Sequence, residues 1–122
     1  MFVLDHSVAM RWLLQSEKAI DQKYAESVLR SFNDIDVVVP GLRHLEVVNV
    51  LMSAERRGEI EAGEVEGFVS QLENLPLRID LATAQQAFSR TLSLARIYKL
   101  SSYDAAYLEL SVRERLPLAT LD

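Results

Sequence analysis

Four short apolar runs punctuate the chain, and between them the apolar residues recur at helical spacing. Phe2-Val3-Leu4 is too short for a helix and rich enough in β-formers to be a buried strand. A second run, 36–39, is stopped by Pro40-Gly41; a third covers 77–79 and a fourth 118–121. Ser7 can cap a helix over 7–15, with Val8, Trp12 and Leu13 on one face. A second helix over 19–32 turns Tyr24, Val28 and Leu29 inward and pairs with the first in a hairpin. A long helix over 42–57 ends at Gly58, and its middle, Leu45 to Met52, is apolar nearly all round, which predicts a central position. Helices are further expected over 61–74, 83–98 and 101–115, the one over 83–98 with an apolar stripe that includes Ala87, Phe88 and Leu92. Short apolar strands alternating with helices predict an α/β fold, a mostly parallel sheet covered on both faces. Ligands in such sheets bind outside the carboxyl ends of the strands, where Asp5 and Asp122 stand.

A length of 122 residues suits one domain, and 49% hydrophobic with 25% charged residues is the balance of a folded globular chain. No stretch approaches the ~20 apolar residues of a membrane span. The start of the chain lacks a basic leader and a cleavage site, so a cytoplasmic location is expected. The absence of cysteine excludes disulfides, zinc–thiolate sites and thiol nucleophiles. A net charge of −5 has the wrong sign for bulk attraction of nucleic acid. Acids gathered around a divalent cation would invert the field locally.

Four acids are candidates for such a cluster. Asp5 could cap the next helix, but Ser7 is better placed to do so, which leaves Asp5 for chemistry. Glu46 lies in an apolar helix, where an uncompensated carboxylate costs several kcal/mol, on the order of that for any buried ion. Either an arginine from another helix pairs with it, or it belongs to a site. Asn49, at i+3, extends the polar notch. Asp104 follows Ser101 by three residues, as in a capping box, and one carboxylate oxygen can cap while the other ligates. Asp122 is a candidate only because it ends the run 118–121. Converging carboxylates without Cys or paired His select magnesium or manganese, and these metals suit phosphodiester hydrolysis. His6 and His44 read as non-ligands. Arg11, Arg43, Arg56 and Arg57 could touch phosphate but read more simply as solvated surface charges. Neither a Gly-rich phosphate loop nor a nucleophile elbow is present.

Val3-Leu-Asp-His-Ser-Val-Ala-Met-Arg-Trp-Leu-Leu14, Pro40 with Leu45-Glu-Val-Val-Asn-Val-Leu51, Ser102-Tyr-Asp-Ala-Ala-Tyr-Leu108 and Leu116-Pro-Leu-Ala-Thr-Leu-Asp122 occur in that order. Together they resemble the PIN-domain ribonucleases, specifically the VapC-type toxins of prokaryotic toxin–antitoxin systems. The resemblance implies a three-layer α/β/α sandwich and metal-dependent endonucleolytic cleavage of RNA with Mg2+ or Mn2+. Carried over by motif, the acidic catalytic and metal-binding quartet falls on Asp5, Glu46, Asp104 and Asp122, with Ser7 and Asn49 lining the same pocket. A cognate antitoxin and homodimerisation are implied too. His6 stands where a small residue is usual. Relatives generally continue through a further helical segment and an edge strand, so residues 1–122 are expected to be a single PIN-like domain without them. Two other classes compete. A phosphoaspartate protein would use Asp5 as acceptor, but position 7 is Ser where a second Asp is wanted. A non-catalytic PIN-fold module would pair with an antitoxin or another partner without cleaving.

Overall fold

The four apolar runs form β1 (Phe2–Leu4), β2 (Val37–Pro40), β3 (Leu77–Asp80) and β4 (Leu118–Ala119) in the structure, a computed structural model that describes residues 1–14 and 18–121. Every pairing is parallel and the order is β3-β2-β1-β4. Alternation along the strands explains why the runs are apolar throughout: both faces are covered. Leu4, Val37 and Val39 pack with Ala25, Val28 and Phe32 of one helical layer. Val3 and Val38 face the other way, onto Tyr107 and Leu110. Each of these valines, fully buried, contributes about 1.5–3 kcal/mol. The result is the expected three-layer α/β/α arrangement.

The first layer holds α1 (His6–Ala9) and α2 (Ala19–Ser31). The helix expected over 7–15 is shorter: α1 gives way to a 3-10 turn, Met10–Trp12. That tighter turn lets Met10 reach a second apolar cluster, while the Trp12 indole N–H finds the Ala25 carbonyl at 2.8 Å. Positions 15–17, where the expected helix would have ended, lie outside the described residues. On α2 the inward residues are Ala25 and Val28; Tyr24 and Leu29, expected to face in, are exposed.

The helices α3 (Arg43–Arg56) and α4 (Ala62–Glu73) close around Met10, Val47, Leu51, Ala54 and Phe68. α3 buries one face only. Leu45, expected to be central, is 77% exposed, and Val48 is exposed too. The physical reason is that α3 packs against α4 and α1 at the flank of the molecule, so its outer apolar residues meet no second layer. Its end follows the expectation: Gly58 takes φ 75°, and the Gly58 and Glu59 amides return to the carbonyls of Glu55 and Ala54, both at 3.0 Å.

The helix expected over 83–98 is broken by a π-helical turn, Ala87–Thr91, between α5 (Thr83–Gln86) and α6 (Leu92–Tyr98). Its wider turn shifts the apolar stripe off the core. Phe88 is 94% exposed, and the stripe instead lines an open groove of about 360 Å³ with Leu42, Tyr103 and Ala106.

On the second face of the sheet lies α7 (Ser102–Glu114). Ser101 caps it, its Oγ accepting the Asp104 amide at 3.1 Å. Ser101→Ala is expected to cost about 1 kcal/mol, checked by chemical denaturation. Farther along, Arg113 reaches across to the end of β3, donating to Asp80 at 2.6 and 3.1 Å. It also pairs with Glu109, one turn back, at 2.9 Å. Gly41 lets the end of β2 pass this point: an added Cβ would stand 3.1 Å from the Asp80 carbonyl oxygen. Among the described residues no helix is long and apolar enough to cross a membrane.

Candidate active site

The strand order reverses at β1, whose neighbours are β2 on one side and β4 on the other. The crevice outside the carboxyl ends of strands at such a switch point is where open α/β sheets bind ligands. Asp5 follows β1 directly and Thr120 follows β4. Backbone pairing fixes both, through the Asp5 amide on the Ala119 carbonyl at 3.0 Å.

Asp5 is 3% exposed, and both carboxylate oxygens are engaged. Oδ2 accepts from the Ser7 hydroxyl at 2.6 Å and from the Thr120 hydroxyl at 2.7 Å. Oδ1 lies 3.1 Å from His6 Nδ1. Burial by itself would raise the carboxyl pKa; the hydrogen bonds from His6, Ser7 and Thr120 outweigh it and hold the group at about 2. Asp5 is therefore a fixed anion. Ser7 does not cap α1, as its position suggested. Asp5 holds the cap position without capping, and the Ser7 hydroxyl instead ties Asp5 to the last described residue by accepting the Leu121 amide at 3.0 Å.

Glu46 enters from the first turn of α3. Tyr107, on α7, donates its phenol hydrogen to Glu46 Oε1 at 2.7 Å, and the same oxygen lies 3.2 Å from His6 Nδ1. Burial, and then the Glu46 bond, push the Tyr107 hydroxyl far above its ordinary value, so it stays a donor. His6 thus stands between the two carboxylates. Its pKa is pushed up to about 10 by Asp5 first and Glu46 second, against burial. Beneath the pair lies Arg43, 1% exposed, with no hydrogen-bond partner at Nε or Nη2 among the described residues. Burial lowers its pKa, and Tyr107, Glu46 and Asp5 pull the other way. The surface reading of Arg43 is corrected: a residue three positions before Glu46 shares its helix face, and that face points inward.

Asp104 shares with Asp5 a cavity of about 150 Å³, also lined by Tyr107 and Thr120. Asn49 is exposed on α3. Asp122 lies outside the described residues. The structure therefore brings Asp5, Glu46 and Ser7 into one cluster and places Asp104 at its edge. His6, Tyr107 and Thr120 join them unannounced. Tyr107 could have been found as the i+3 neighbour of Asp104, and Thr120 as the polar exception in a strand run.

The donor set suits a hard divalent cation. Magnesium is commonly held by one or two carboxylates with the rest of its shell water, and Asp5 and Glu46 offer oxygens that already converge on one atom, His6 Nδ1. Among the described residues no group of three or more His, Cys, Asp or Glu side chains is arranged to hold a metal ion by itself. Compared with models of protein families, the chain matches the one described as PIN domain over residues 2–122. No curated protein matches it.

Proposed function

Because this chain belongs to the PIN domain family, whose members are typically nucleases using divalent ions, we propose that it is a Mg2+- or Mn2+-dependent endoribonuclease and the toxin of a VapC-type toxin–antitoxin pair. The observation that carries the proposal is the convergence of Asp5 and Glu46 on one nitrogen at the switch point of the sheet. Asp5 and Glu46 would hold the ion, with Asp104, which lines a small cavity beside Asp5, and Asp122 completing the quartet that the resemblance implies. When bound, the ion activates a water and stabilises the charge developing on the phosphodiester.

The rest is done by the chain's own side chains. Ser7 and Thr120 fix one edge of the Asp5 carboxylate, leaving its other oxygen directed at the site. Tyr107, reaching in from α7, orients Glu46. Arg43 supplies a permanent positive charge below two carboxylates that would otherwise repel each other. RNA as substrate, a cognate antitoxin and a homodimer belong to this reading through the resemblance to VapC-type toxins, and the exposed apolar groove beside Phe88 would offer the antitoxin a surface.

RNA incubated with the protein and Mg2+ or Mn2+ is expected to be cut internally, and excess chelator to stop the cutting. Cleavage that survives the chelator would remove metal from the proposal. A non-catalytic module remains the second reading because His6 fills the gap between the carboxylates; failure to bind Mn2+ in a calorimetric titration would decide for it.

A further inference from the structure

His6 is the residue at which this site departs from a plain acidic cluster. Its Nδ1 is 3.1 Å from Asp5 Oδ1 and 3.2 Å from Glu46 Oε1, so the ring nitrogen lies in the space between the two carboxylates. A magnesium ion sits 2.0–2.1 Å from its oxygens, as a rule. On the side that His6 occupies, an ion held by Asp5 Oδ1 and Glu46 Oε1 together would enter the contact radius of that nitrogen. The ring must then either join the ligand shell or leave.

The surroundings favour leaving. Both close contacts of the ring are made by Nδ1, so the atom that would have to ligate is already engaged by the two carboxylates. Room to move exists on its other side, where His6 lines a pocket of about 310 Å³ with Ser7, Met10, Arg11 and Asp21. The side chain is one-fifth exposed and rides on a helix of four residues. Arg43, the other cation of the cluster, is sealed in and cannot yield its place. We propose that His6 is the resident occupant of the metal position, that its imidazole swings into the neighbouring pocket when a divalent ion binds, and that it thereby sets the metal affinity of this chain. The role assigned is that of a positioning residue, and it rests on the metal-dependent reading above.

Calorimetric titration with Mn2+ tests it on wild type, His6→Ala, His6→Asn and Asp5→Asn, with circular dichroism to verify that each folds. Removing hydrogen bonds to two charged acceptors should tighten Mn2+ binding by about tenfold or more in His6→Ala, with Asp5→Asn losing it. Unchanged affinity in both His6 variants overturns the proposal, and weaker affinity makes His6 a ligand instead. Failure of wild type and every variant to bind Mn2+ would overturn the metal reading as well, a result distinct from the other two. In wild type, the His6 ring signals in nitrogen-detected NMR should move as Mg2+ is added. Signals that stay in place at saturating Mg2+ contradict displacement.

Discussion

Replacing Asp5 by Asn is expected to lower RNA cleavage by about three orders of magnitude while leaving the fold standing. A divalent ion held by a carboxylate supplies several kcal/mol of charge stabilisation in the transition state, and every ~1.36 kcal/mol is a factor of ten in rate. The amide keeps the shape of the side chain and can turn its oxygen toward His6. Its NH2 then faces the hydroxyls of Ser7 and Thr120, which can rotate to accept as readily as they donate. Single-turnover cleavage beside a thermal melt separates the two effects. Undiminished cleavage by a folded Asp5→Asn protein would sink the mechanism.

The second large effect lies outside the acidic cluster. Arg113→Met is expected to cost about 3–5 kcal/mol, because it leaves Glu109 buried without its partner. Glu109 is 1% exposed, and the next cation, Arg90, stands 3.6 Å away on an exposed side chain. For a chain of this size the loss corresponds to a melting temperature lower by about 10 °C or more. Adding Glu109→Gln should return part of it, since the stranded charge is then gone. The network also shapes acid stability. Arg113 holds the Asp80 carboxyl below its ordinary value, with Thr83 helping against burial. A depressed carboxyl contributes stability that is fully present above its unfolded pKa, about 4, and is lost as the pH falls through the folded one. Melts taken below about pH 4 should therefore fall more steeply in wild type than in Arg113→Met. Parallel acid limbs would remove Asp80 from the account.

The α/β/α fold was legible because a parallel strand buried on both faces writes itself as a continuous apolar run, and all four runs became strands, the one over 118–121 only at Leu118–Ala119. What misled was the same signal on helices. Leu45 read as central and Phe88 as part of a helical apolar stripe, yet a helix at the flank or a π-helical turn can leave such residues outside. In the site, Asp5 and Glu46 stood out as charges in apolar surroundings. Tyr107 did not, because an aromatic residue in a helix reads as packing, and its bond to Glu46 joins residues 61 positions apart. Arg43 was misread since an arginine beside a helix start is ordinarily solvated. Ser7 was given a role in local capping that the tertiary contact with Asp5 and Leu121 overrode.

The pairing of β1 with β4 has a consequence in time. The hydroxyl that Thr120 offers to Asp5 crosses 115 positions of sequence, whereas the α3–α4 cluster is assembled mainly from neighbours along the chain. Long-range closure is slow compared with local packing. A folding chain therefore owns much of its core before its two ends meet. The contact that fixes Asp5 is the last it gains, and with only two residues in β4 it is the first that fraying takes away.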